Sequence, residues 1–386
     1  MSRRLPNLVA AIVFVSASAH GASLDAEMKA VEKIRGLTFA RPVVQRIITR
    51  AELPKVLRAQ MEKSIPYSPD DYALILRTLQ FVDGGTSDLV GSMLELYESQ
   101  VLAFYDPLTH TYFAIDQLPP AIAGIADSDL LRESIVIHEL THALQDQRFQ
   151  AGARDLALQK DTDASMALHA LMEGEATLVM LDYVLDKAGQ KLDDVLANPE
   201  VMSLLTSSLS ADKTIAASTP KYFAESLKFP YAEGLKLVID GYKRGGWKMI
   251  DRMDENPPRS TREVLHPSEY FARLGNGKTP PAFDNKSPLP GTLTVEHLGE
   301  FHWRFLVGDA GQGWIDDRVT VVQNVHCDPT VLVDTRWENA DRARAFRDAY
   351  AAFLHDRGLD PRVALDGARV RVAYGADTRL MESFIR

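Results

Sequence analysis

The segment Ile137-His138-Glu139-Leu140-Thr141-His142-Ala143-Leu144 places two histidines four residues apart, with a glutamate after the first, inside an otherwise apolar run. On an α-helix, positions i and i+4 lie one above the other, so the imidazoles of His138 and His142 can reach one metal ion. Glu139 stands about 100° round the helix from His138. From there its carboxylate can take a proton from a metal-activated water without being a ligand, which is the general-base arrangement that HExxH supplies to metal-dependent hydrolysis. Asp127, Ser128 and Asp129 offer an N-cap and negative charge in the first turn. Beyond them Leu130, Leu131, Ile135, Val136, Ile137, Leu140 and Leu144 make the helix apolar on most sides, as in a core helix. Such a helix holds two histidines and a glutamate only where something satisfies them, because unpaired buried polar groups are costly. The competing reading is a solvated polar stripe flanked by Gln145 and Asp146.

A catalytic zinc site takes three protein ligands and a water, so a third donor must come from elsewhere. Residues Asp163 to Lys187 read as a second long helix, with Met166, Leu168, Leu171, Leu178, Val179 and Leu181 on its apolar surface and Glu173-Gly174-Glu175-Ala176 in its interior. Carboxylates in such a stretch need a cation or solvent. His169, Glu173 and Glu175 are the candidates. His169 and Glu173 share a face at i,i+4, whereas Glu175 points about 200° away from Glu173, so only one of the two glutamates can face the HExxH helix.

The HELTHAL string followed by Glu173-Gly174-Glu175-Ala176 resembles the gluzincins, zinc peptidases with HExxH on one helix and a glutamate ligand on a following one. In several gluzincin branches the first glutamate of an EGxA segment binds zinc. The resemblance therefore implies one Zn2+ held by His138, His142 and Glu173, with Glu139 as general base and His169 as a neighbour able to orient the Glu173 carboxylate. Glu175 would be an outer or solvent-facing group. The stretch from His142 to Glu173 is longer than in thermolysin-like enzymes, and the Asn-Glu pattern of their second helix is missing. Ala103-Phe104-Tyr105-Asp106-Pro107, Phe229-Pro230-Tyr231 and the run from Pro257 to Pro267 are similar to segments of bacterial and archaeal metallopeptidases of this broad type. An oxyanion donor is also implied. Tyr231, read as a helix start, and His266, read as a cap before Pro267, are its candidates, each with a purely structural alternative.

Residues 1–22 combine Arg3 and Arg4, an apolar run from Leu8 to Val15, and small residues suited to cleavage after Ala19 or Ala22. That succession predicts a secretory signal peptide and a mature protein in the periplasm or outside the cell. No later apolar run reaches the ~18 residues that span a bilayer. The single cysteine, Cys327, excludes an intrachain disulfide, and the net charge of -10 argues against nonspecific nucleic-acid binding.

The expected fold is α+β and mostly helical. A mainly helical region over 23–100 begins with a strand from Pro42 to Ile48 and a capping box at Thr49-Arg50-Ala51-Glu52, then helices towards Met61, over Tyr72 to Val82 and over Ser87 to Glu98. The gluzincin-like catalytic region spans 101–272. It opens with a hairpin of Val101 to Tyr105 and Thr111 to Ile115, and by resemblance that sheet edge pairs with an extended peptide or protein substrate. An ordinary structural hairpin is the other reading. Residues 273–291, rich in Gly, Pro, Asn and Lys, read as a linker or long loop. Residues 292–386 then read as a small α+β unit, with strands at Arg318 to Val325, Thr330 to Asp334 and Ala368 to Tyr374 and a helix at Glu338 to Asp356. His302 and His326 are expected to be surface or structural. A noncatalytic envelope protein that uses a gluzincin-like fold to bind a partner is the alternative function; the presence of Glu139 argues against it, since a closed structural zinc site needs no base.

Overall fold

Helix α1 (Asp25–Arg35) leads into strand β1 (Val44–Ile48), after which Thr49 and Glu52 close the expected capping box. Thr49 N donates to Glu52 Oε2 at 2.8 Å, and Glu52 N donates back to Thr49 Oγ1 at 3.2 Å, starting helix α2 (Leu53–Ser64). The computed structural model describes residues 24–64, 67–84, 88–117, 129–158, 161–198, 218–276, 289–323 and 328–386, with residues 200, 215 and 287. The signal segment, Asp127, Ser128, His326 and Cys327 lie outside the described residues. Helix α3 (Pro69–Thr78) starts earlier than the expected Tyr72, because Ser68 Oγ caps the Asp71 N–H. It ends before Val82, where Gln80 takes a left-handed φ of 65°.

Helix α4 (Leu89–Gln100) precedes the hairpin of β2 (Ala103–Asp106) and β3 (Thr111–Ile115). Asp106 shapes its turn, accepting from Leu108 N at 2.9 Å and from Thr109 Oγ1 at 2.7 Å. β3 is the middle strand of a three-stranded sheet, parallel to β1 with Ile48 opposite Ile115, and antiparallel to β2 with Ala103 opposite Ala114. β2 is therefore an edge.

The motif helix α5 (Asp129–Phe149), α6 (Ala151–Ala157) and α7 (Thr162–Lys187) follow, then α8 (Leu192–Leu196), α9 (Lys221–Gly245), α10 (Trp247–Glu255), α11 (Thr261–Leu265) and α12 (Pro267–Asn276). Asp161 caps α7 by accepting from Ala164 N at 2.9 Å. α7 and α9 cross at two glycines: a Cβ on Gly174 would sit 2.3 Å from Gly234 O, and one on Gly234 would sit 1.9 Å from Ala170 O. No side chain fits there, so the glycine of the EGxA segment is what lets the two backbones touch. Tyr231 does not start a helix. It lies inside α9, which continues through Pro230. α12 likewise makes residues 273–276 helical rather than loop, with Arg273 donating to Glu263 Oε1 at 2.5 Å and to Pro257 O at 2.9 Å.

The C-terminal part is α+β, as expected. Its antiparallel sheet runs β4-β5-β6-β8-β7, from β4 (Thr292–Glu296), β5 (Trp314–Val322), β6 (Thr330–Trp337), β7 (Arg362–Asp366) and β8 (Arg369–Gly375). Helices α13 (Gly299–Val307), α14 (Ala340–His355) and α15 (Thr378–Ile385) accompany it. Val319, Val321, Val331, Val333, Val370 and Val372 are fully buried with Phe346 and Leu354 of α14, each side chain contributing roughly 1.5–3 kcal/mol. This core is continuous with that of α2 to α4 and includes Tyr222, Phe223 and Leu227 of α9. His302 is structural: its Nδ1 donates to Leu298 O at 2.5 Å, Tyr222 OH meets its Nε2 at 3.2 Å, and burial lowers it to about 4.

Candidate metal centre

Three side-chain atoms from α5 and α7 converge on one point. His138 Nε2 lies 3.1 Å from Glu173 Oε2, His142 Nε2 lies 3.2 Å from His138 Nε2, and His142 Nε2 lies 3.4 Å from Glu173 Oε2. Ligands of one tetrahedral zinc with 2.0–2.1 Å bonds stand about 3.3–3.4 Å apart, so this triangle has the dimensions of a zinc face. Among the described residues it is the one set of three His, Cys, Asp or Glu placed to hold a metal ion. Two imidazoles and a carboxylate are also the donor types that zinc takes in hydrolytic sites. The group is buried, with His138 at 0% and Glu173 at 3% exposure.

Of the three third-ligand candidates, α7 turns only Glu173 to this point. His169 is directed elsewhere: its Nε2 pairs with Asp155 Oδ1 at 3.1 Å, which leaves Glu173 to be oriented by the two histidines. Glu175 is not solvent-facing. It is 1% exposed and takes Arg35 Nε on Oε1 at 2.5 Å and Gln145 Nε2 on Oε2 at 2.6 Å. Gln145, buried rather than part of a solvated stripe, in turn places its Oε1 2.9 Å from His142 Nδ1.

Glu139 lies off the ligand face. Its Oε2 accepts the backbone N–H of Tyr105 in β2 at 2.9 Å, and its Oε1 is buried with no hydrogen-bond partner among the described residues. An orphaned carboxylate oxygen beside three convergent donors fits a site that takes water or substrate there. Tyr231 brings its ring alongside His138, centroids 6.4 Å apart. His266 instead meets Glu300 Oε1 at 2.9 Å, within a network of Arg262, Glu269 and Glu338.

The electrostatics follow the geometry. Burial raises Glu139 to about 8, with Glu173 adding to the rise and His142 and the Tyr105 N–H opposing it. Burial disfavours ionised Glu173 too, yet His142 and His138 outweigh it and hold that carboxyl well below the usual range. Against its own burial, His142 is raised to about 9 by Glu173 and Glu139, while burial lowers His138.

Tyr105, Gln145 and Arg35 were not foreseen as parts of the site. Tyr105 acts through its backbone, which carries no sequence signal, and Arg35 stands 140 residues from its partner Glu175. Residues 284–381, which contain the five-stranded sheet but neither α5 nor α7, match a family described as a domain of unknown function (DUF8575). No curated protein and no solved structure matches the chain.

Proposed function

We propose that this chain is an exported, zinc-dependent metallopeptidase that hydrolyses peptide bonds in a peptide or protein substrate. The observation that carries the reading is the 3.1–3.4 Å triangle of His138, His142 and Glu173, with Glu139 beside it and off its face. His138 and His142 would hold the ion through Nε2, and Glu173 through Oε2. When bound, zinc supplies Lewis acidity, polarising a carbonyl and acidifying water. Glu139 takes a proton from the attacking water and returns it to the leaving amine, acting first as base and then as acid. Tyr231, next to His138, is the residue to donate to the oxyanion.

The edge strand β2 would pair with an extended substrate backbone, and the Tyr105 N–H already points from that edge to the base. No helix among the described residues is long and apolar enough to cross a membrane. Incubation of the zinc-loaded protein with a peptide library tests the reading. Cleavage that stops on chelation and returns with zinc supports it; zinc binding without cleavage of any peptide would point instead to a noncatalytic partner-binding protein.

A further inference from the structure

We propose that Arg35, Glu175 and Gln145 form a positioning relay that fixes the Nδ1 side of His142 and so leaves Nε2 as its metal-facing nitrogen. The inference rests on the metal site above, and it adds a role for helix α1, which none of the ligands requires.

The relay is continuous and buried. Arg35, the last residue of α1, is 2% exposed; its guanidinium lies 4.8 Å from the Trp247 ring centroid and reaches Glu175 Oε1 at 2.5 Å, Asp251 Oδ1 at 3.0 Å and Asp254 Oδ2 at 3.3 Å. One cation thus faces three carboxylates brought from α7 and α10. An ion-paired carboxylate only accepts hydrogen bonds, so the neighbour of Glu175 Oε2 must be a donor. That neighbour is the Gln145 amide, whose Nε2 stands 2.6 Å away and also donates to Met172 O at 3.1 Å. With its NH2 committed to two acceptors, Gln145 can present only Oε1 to His142, at 2.9 Å. An amide oxygen accepts, so His142 Nδ1 carries the hydrogen and its ring cannot turn Nε2 away from Glu173. His142 is bonded from both sides: by the relay at Nδ1 and by the ligand set at Nε2.

The relay explains why a buried helix carries HELTHALQ and why the third-ligand helix holds two glutamates. Glu173 serves the metal face, and Glu175, turned round the same helix, serves the back of His142 through Gln145. It also makes α1 part of the site, because the charge that fixes Glu175 comes from there.

Histidine-labelled protein tests this by NMR of the His142 Nδ1–H, with zinc titration as a second readout. In the metal-free wild type the Nδ1–H should be visible and slow to exchange. Glu175→Gln keeps the side-chain volume and leaves Arg35 paired with Asp251 and Asp254, yet lets the amide at 145 flip; it should speed that exchange and weaken zinc binding about 10–100-fold. Gln145→Leu should do the same. Arg35→Met strands three carboxylates and can fail to fold, so the two milder variants decide. A folded Glu175→Gln protein with unchanged exchange and unchanged zinc affinity overturns the relay. If the wild type bound no zinc, the metal reading would fall, while the exchange of the metal-free protein would still decide the relay.

Discussion

Glu139 Oε2 accepts the backbone N–H of Tyr105 at 2.9 Å, so the edge strand of the small sheet and the HExxH helix are joined through the carboxylate proposed as base. Glu139→Gln preserves that bond, because an amide oxygen also accepts, but removes the proton acceptor. The variant should fold, keep its zinc and lose about 10²–10⁴-fold in turnover. Activity within a few-fold of wild type would eliminate Glu139 as the base.

Glu173 and Glu175 occupy one helix but different networks, and their substitutions should separate. Glu173→Ala removes a ligand and should abolish stoichiometric zinc binding, whereas Glu175→Ala should cost about 10–100-fold in affinity. His169→Ala, which breaks only the pair with Asp155, should leave zinc binding unchanged. Zinc titration of the three proteins checks the order, and loss of metal from the Glu175 variant alone would move the ligand to the other glutamate.

The α7–α9 crossing makes a stability prediction. A methyl group at Gly174 would meet the Gly234 carbonyl at 2.3 Å, so backbone rather than a movable side chain must yield. Gly174→Ala should cost about 1–3 kcal/mol or more by denaturant unfolding. It should also weaken zinc binding, since Glu173 is its neighbour in the chain. A change within ±0.5 kcal/mol, the range of ordinary surface substitutions, would contradict so close a crossing.

His297 ties the C-terminal sheet to the cap of α7, with Nδ1 2.9 Å from Asp161 Oδ1 and Nε2 2.9 Å from Asp316 Oδ1. Burial alone would depress it, but the two carboxylates, with Asp317 near by, hold it well above its usual value. A group raised in the folded state stabilises fully below its unfolded pKa of about 6.5, and that contribution is lost as pH rises through the folded value. The unfolding midpoint should therefore fall as pH is raised above about 6.5. His297→Gln should flatten the profile; a slope identical to wild type would remove His297 as its source.

How much of this was legible depends on where the information sits. His138 and His142 follow from local periodicity, on one face of an apolar helix, whereas the choice of Glu173 over Glu175 and His169 came from the resemblance to EGxA, because periodicity says only that the two glutamates point apart. The Thr49–Glu52 box was legible for the same reason, since all its partners lie within four residues. Arg35 was not, because a basic residue at a helix end looks like an ordinary surface charge and its partners lie 140, 216 and 219 residues away. β4 escaped because its buried positions, Thr294 and Glu296, are polar, and β7 because none of its residues is buried, while Tyr231 was misplaced because Pro230 reads as a helix boundary, whereas α9 continues through it.

Zinc-edge anomalous diffraction of the zinc-loaded protein tests the central claim most directly. The account predicts a single ion about 2.0–2.2 Å from His138 Nε2, His142 Nε2 and a Glu173 oxygen, with the fourth position open to solvent on the Glu139 side. An ion closed off by four protein ligands, or no ion between these three residues, would contradict it.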